Sequence, residues 1–265
     1  MNNVPLISFE NALSALSTIT LEEMDSIKLM NRIDSKFLTD EAHLLEVLKD
    51  AANAGYQVLE TEGERINPYN SVYYDTDVLR MFADHHNRRL IRQKVRTREY
   101  VTSGIAFLEI KRKNNKGRTN KKRISIPKSE LMNFKGDERA CEYLAEKSWF
   151  HAEDLSPVLE TLFSRITLVN PGKTERLTID THLFFHNFRT GLNASLFDAV
   201  IIELKQDGRA ESQMKGILLD HRVKPMRISK YCIAVTLTDP SARSGRFKTK
   251  VRNIEKIINK KITIQ

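Results

Sequence analysis

The chain has 265 residues, 40% hydrophobic and 29% charged, with a formal net charge of +9. That size allows a sizeable core in one large domain or two small ones, and no apolar run approaches the ~20 residues of a membrane-spanning helix. Two cysteines, Cys141 and Cys232, exclude a disulfide framework or a cysteine-rich zinc site, and the start MNNVPLISFENAL lacks a secretory signal, so a soluble protein of the cytoplasm is expected.

Residues 8–30 read as helical, with Thr20 and Glu23 placed as a capping box. Residues 32–38 form a short strand. Asp40 then caps a helix over 42–52, whose Leu44, Leu45, Val47, Leu48 and Ala51 make one apolar stripe ending at Gly55. Residues 71–75 are strand-like, and 78–87 read as a turn or short helix.

Three basic strands follow, joined around Ser103-Gly104 and around residues 114–117. In the first, Arg92, Lys94, Arg96 and Arg98 share one face because side chains alternate with period two. In the second, Glu109, Lys111 and Lys113 oppose Ala106, Leu108 and Ile110. In the third, Lys121, Arg123 and Ser125 oppose Ile124 and Ile126. Residues 88–123 hold fourteen Lys and Arg against Glu99 and Glu109. Repeated cations on one face and apolar residues on the other describe a cationic wall backed by helices.

Ser129 opens a helical region reaching Trp149, with a break at Gly136. Strands are expected at 163–169 and 176–184, turned by Asn170-Pro171-Gly172, and at 199–205. A helix follows at 211–221, then a long last strand at 229–237. The tail 241–265 carries eight Lys and Arg against Glu255, and Val251, Ile254, Ile257, Ile258 and Ile262 at helical spacing describe a helix packed on the body rather than a membrane-surface helix. The expected division is residues 1–240 and a basic helical tail, 241–265. About eight strands, mostly hairpin-linked and without βαβ alternation, give an α+β fold with a strongly curved or closed antiparallel sheet.

On the later strands Arg176, Thr178 and Asp180 share a face, as do Glu203 and Lys205. Lys36 lies on the first strand, Arg165 on the strand at 163–169, and Lys230 begins the last. Curved into one sheet, these strands line an interior with roughly ten cations, which only a polyanion neutralises. The Arg guanidinium forks onto two phosphate oxygens, and Lys adds a point charge. Glu203 and Glu109 are the natural ligands for a hard divalent cation shared with phosphates, although Glu109 serves equally as an ion-pair partner of Lys111 or a cross-strand Arg. Phosphoryl transfer needs mostly positioning and charge neutralisation. No Walker A loop, GxGxxG, HRD or DFG element occurs.

Nine stretches in order carry a family resemblance: RIDSKFLTD (32–40), SVYYDT (71–76), RRLIRQKVRTREY (88–100), FLEIKRK (107–113), GRTNKKRISI (117–126), LFSRITL (162–168), ERLTID (175–180), AVIIELK (199–205) and RISKY (227–231). Together they resemble the VTC domain, the polyphosphate-polymerase domain of the vacuolar transporter chaperone complex and one of the triphosphate tunnel metalloenzymes. The resemblance implies a closed eight-stranded β-tunnel with helices packed outside. It implies transfer of the terminal phosphoryl of ATP to a growing polyphosphate chain, with Mn2+ or Mg2+. Arg96, Arg98, Lys111, Arg165 and Arg176 would be catalytic. Lys36, Lys121, Arg123, Ser229 and Lys230 would bind substrate, and Glu203 would bind the metal.

The chain departs from the family in carrying Phe163 where a tyrosine is usual, and it retains a basic residue at Arg227. It lacks the ExExK signature of hydrolytic relatives and an SPX-type sensor. A metal-dependent tri- or polyphosphate hydrolase and a non-catalytic polyanion-binding module remain alternatives. ATP and polyphosphate are the expected partners. Nucleic acid is not, because the basic strands offer only Tyr100 and Phe107 for base stacking. His85-His86 reads as turn or helix surface, Tyr231 and Cys232 as strand packing, and Trp149 as the anchor of a helix.

Overall fold

The computed structural model describes residues 6–265 except Lys28, Met30, Asn31 and Arg209, and for residues 6–8 the backbone only. In place of one helix over 8–30 there are α1 (Leu6–Ser14), β1 (Ser17–Ile19) and α2 (Leu21–Ser26); the part of that expectation at Lys28 and Met30 lies outside the described residues. The capping box is present: Thr20 accepts from the Glu23 N–H at 3.2 Å, and Glu23 accepts from the Thr20 N–H at 2.9 Å. β2 (Ile33–Asp40) leads into α3 (Glu41–Asn53), capped by Asp40, and then β3 (Gln57–Leu59) and β4 (Asn67–Asp75). Next come α4 (Arg80–His86), β5 (Arg92–Tyr100), β6 (Ile105–Lys113) and β7 (Thr119–Ile126). Two 3-10 turns precede α5 (Glu138–Lys147), which is followed by β8 (Ser156–Val169), β9 (Glu175–Asn187), β10 (Asn193–Leu196) and β11 (Ala199–Gln206). The chain closes with α6 (Gln213–Asp220), α7 (Lys230–Thr238), α8 (Gly245–Ile257) and β12 (Thr263–Ile264).

All strands join one twelve-stranded sheet. Its main path runs β7-β6-β5-β4-β8-β9, and β9 then forks. Residues 175–180 pair with β11, which pairs with β2, while residues 183–186 pair with β10. Every ladder on this path is antiparallel. The expected closed eight-stranded tunnel is corrected here. Among the described residues no ladder joins β7 to β2, so the sheet is curled but open along that seam. The reason is local: Thr119–Arg123 is exposed on both faces of β7, so no apolar face presses that end of the strand inward.

Helices α1, α3, α5 and α6 cover the convex side. α5 and the turn at Phe134 pack on Val72, Val95, Leu108 and Ile110, the apolar faces opposite the basic ones. α1, α3 and α6 cover β8, β9 and β11 through Leu44, Val47, Leu48 and Met214.

The expected last strand at 229–237 is helix α7. Its near-continuous apolar run fits either a buried strand or a buried helix, and burial on all sides selects the helix: Tyr231 to Val235, Leu237 and Thr238 are all buried. Thr236 and Thr238 donate to carbonyls four residues back at 2.7 and 2.8 Å, which hides their hydroxyls. The segment before α7 still lies beside β2, through a Phe37–Pro225 bridge and a 2.7 Å bond from Met226 N to Lys36 O. α8 lays Phe247 and Ile254 into the core shared with α4 and α7, with Val251, Ile257 and Ile258 beside them.

Candidate functional site

Register brings the polar faces of the strands together on the concave side. Glu203 stands opposite Lys36 on one neighbour and Thr178 on the other, and Lys205 opposite Asp34 and Arg176. Glu109 stands opposite Arg96 and Arg123, and Lys111 opposite Lys94 and Lys121. Arg165 faces Asp180.

Three carboxylates in the middle of this face each answer cations. Glu109 receives Arg96 at 2.6 Å and Lys121 at 2.5 Å, so the ion-pair reading of Glu109 describes its contacts. Against the upward push of burial, Arg96, Arg98 and Lys121 hold its carboxyl far below the usual range. Asp180 accepts a bidentate fork from Arg165 at 2.6 and 2.9 Å and a further bond from Lys230. Its carboxyl is likewise held down, by Arg165 and Lys230 against burial. Glu203 is held less tightly. Its nearest cation is Lys36 at 3.8 Å, and against burial Lys36, Lys205 and Lys111 bring its pKa down to about 2.

The cations differ in how free they are. Arg98 is 5% exposed; its Nε donates to Ser71 Oγ at 2.9 Å, and the guanidinium lies against Tyr69 and Phe163, 5.3 and 5.6 Å from their centroids. Burial lowers the Lys111 pKa and Glu203 opposes that. Burial brings Lys205 down to about 8. Arg123 is exposed, its guanidinium 4.4 Å from the Phe107 centroid. Arg176 is half-buried beside Lys205, towards the Asp34 end of the face. Ser229 caps α7 by accepting from the Cys232 N–H at 3.3 Å, and Lys94 donates to the same hydroxyl at 2.7 Å. Lys230, the first residue of α7, reaches Asp180 and stands 3.4 Å from the Phe163 centroid. The eleven residues singled out by sequence thus lie on the concave face, its exposed β7 border and the α7 N-terminus that meets it.

The VTC-domain family model matches residues 31–238. The chain belongs to the VTC domain family. Among solved structures, this VTC domain is similar to a candidate adenylate cyclase of Vibrio parahaemolyticus, at 12% identity over 76% of this chain and 96% of that one, with a TM-score of 0.45. It is also similar to HpAC1 of Hippeastrum, described as a candidate adenylyl cyclase with a dominant triphosphatase activity (13% identity, 77% and 95% covered, TM-score 0.46). A third is PH1819 of Pyrococcus horikoshii (13% identity, 77% and 99% covered, TM-score 0.42). No curated protein matches.

Within this VTC domain Phe163 has a physical role despite its missing hydroxyl: its ring is the shared platform of Arg98, Arg165 and Lys230. Sequence reading missed Asp180 as the clamp between Arg165 and Lys230, and it missed Tyr69, Ser71 and Tyr73, although their alternating spacing on β4 was the available signal. Tyr73 accepts from Arg96 at 3.0 Å. The His85 ring lies 3.2 Å from the buried Cys232 thiol. Among the described residues no cluster of three or more His, Cys, Asp or Glu is arranged to hold a metal ion. Trp149 is 44% exposed rather than a helix anchor, and no described helix is long and apolar enough to cross a membrane.

Proposed function

We propose that this VTC domain is a polyphosphate polymerase that transfers the γ-phosphoryl of ATP onto a polyphosphate chain lying in the concave face. Family membership supports action on tri- or polyphosphate. The observation carrying the finer reading is the imbalance of charge. Glu109, Asp180 and Glu203 already have cationic partners, Lys36 being that of Glu203, yet Lys94, Arg98, Lys111, Lys205 and Arg176 on the same face form no ion pair among the described residues. That is more cation than one triphosphate occupies, and a polymerase needs the surplus to keep its product between transfers.

In this reading Arg96 and Arg98 grip the nucleotide phosphates, Arg165 and Lys230 hold the acceptor chain, and Ser229 bonds its terminal phosphate. A terminal chain oxygen attacks the γ-phosphorus, the bond to the β–γ bridging oxygen breaks, and the nucleoside diphosphate leaves. Glu203 fits a divalent ion because its carboxylate has no cation closer than 3.8 Å, and one carboxylate with substrate phosphates is a usual setting for Mg2+. When bound, Mn2+ or Mg2+ would neutralise charge on the phosphate oxygens. Purified protein incubated with ATP and Mn2+ should make long-chain polyphosphate, and Glu203→Gln should stay folded and lose most of that activity. Orthophosphate as the sole product would replace the polymerase with a hydrolase, and full activity of Glu203→Gln at limiting metal would remove the metal role.

A further inference from the structure

A cleft of about 710 Å³ opens on the other side of the β6–β7 hairpin, where Arg112, Asn120 and Lys122 alternate with the concave-face lysines. Within a mostly polar and cationic lining stand three apolar side chains, Ile91, Ile110 and Trp149. Trp149 is 44% exposed and Ile91 53% exposed, whereas Val95, Leu108 and Ile110 on the same side of the sheet are completely covered. Two large apolar side chains left open in one cleft invite a flat apolar ligand.

The indole is already oriented. The Arg112 guanidinium stands 4.6 Å from its centroid, and Arg112 Nη1 donates to the Lys147 carbonyl at 3.4 Å. Arg118 and Lys122 at the wall are exposed and form no ion pair among the described residues. No carboxylate lines the cleft, and the amides of Asn115 and Asn120 add donors and acceptors. An aromatic platform, an amide edge and unpaired cations in a cleft of ligand size match the base, edge and phosphate of one nucleotide. A nucleic-acid strand would need successive stacking platforms, and this cleft has a single indole.

We propose that the Trp149 cleft binds a mononucleotide at a site separate from the concave phosphate face. The base stacks on Trp149 and Ile91, and the phosphate meets Arg118 and Lys122. This does not rest on the polymerase reading. Lys121 borders the cleft while its ammonium pairs with Glu109 on the concave face, so the test must separate the two sites.

Trp149 is the single tryptophan, and its emission therefore reports on the cleft. ADP should quench it to saturation, and tripolyphosphate, which has no base, should leave most of that quench in place at the concentration that just saturates the concave face. The double variant Arg118→Ala, Lys122→Ala, altered at two exposed positions, should need at least about ten times more ADP, roughly 1.4 kcal/mol of binding. Equilibrium dialysis should show that Trp149→Leu loses the ADP binding that resists tripolyphosphate. Absence of quenching, full competition by tripolyphosphate, or an unchanged double variant would each overturn the proposal. So would tighter binding of a short oligoribonucleotide than of ADP.

Discussion

Replacing Asp180 by Asn removes one negative charge at nearly constant volume and leaves Arg165 and Lys230 facing each other without their shared acceptor. The side chains of Asp180, Arg165 and Lys230 are 7, 14 and 10% exposed, so water screens little of the resulting repulsion. Removing one partner of a buried ion pair costs about 3–5 kcal/mol, and in a chain of this size each kcal/mol moves Tm by roughly 2–4 °C. Asp180→Asn should therefore melt at least about 6 °C below wild type in the absence of anions. Tripolyphosphate supplies the missing charge, so it should raise the Tm of the variant more than that of wild type under the same salt. The pH dependence has a definite sign. Because Arg165 and Lys230 depress the carboxyl of Asp180, wild type holds this contribution above pH of about 4 and loses it only as the pH falls further. The variant should lack that part of the acid limb. A Tm loss under about 2 °C, or equal gains with tripolyphosphate, would refute the reasoning.

Arg98→Lys keeps the charge but loses the fork that bonds Ser71 between two rings. Calorimetry should show tripolyphosphate affinity reduced about 10- to 100-fold, as expected for a lost charge-assisted hydrogen bond, and unchanged affinity would return Arg98 to a structural role. Lys205, brought to about 8, is half-protonated at pH 8, so binding a polyanion there should take up about half a proton and weaken as the pH rises to 9. Identical binding enthalpies in buffers of different ionisation enthalpy would contradict this. Phe247→Ala should cost about 3–5 kcal/mol in urea unfolding, because Phe247 is 5% exposed and its ring packs against Phe82, His85 and His86. A cost under 1 kcal/mol would mean that α8 is only loosely docked.

The alternation of charge on β5, β6 and β7 was legible because period two is a local property of a strand, and the ladder Arg96–Glu109–Arg123 follows it residue for residue. The α7 helix was not legible. Tyr231 to Val235 is an unbroken run of buried side chains, and only its placement at the end of the curled sheet decides between helix and strand. The short β1 escaped for a related reason: Ser17–Ile19 is held by its parallel pairing with β3, a partner forty residues away in sequence. Within the site, Arg165 and Lys230 were visible as cations, but their convergence on Asp180 depends on α7 delivering Lys230 to β9, which no spacing encodes.

The open seam at β7 also bears on how copies of this chain meet. An unpaired strand edge ordinarily invites another strand to add to it. Here the exposed edge carries Lys121, Lys122 and Arg123 in succession, so a second copy adding edge to edge would set two such runs of like charge against each other. The border of the concave face therefore also keeps the sheet from growing between molecules. Polyanions that neutralise this run would lower that barrier, which would tie the solution behaviour of the protein to the concentration of the anion proposed for its concave face.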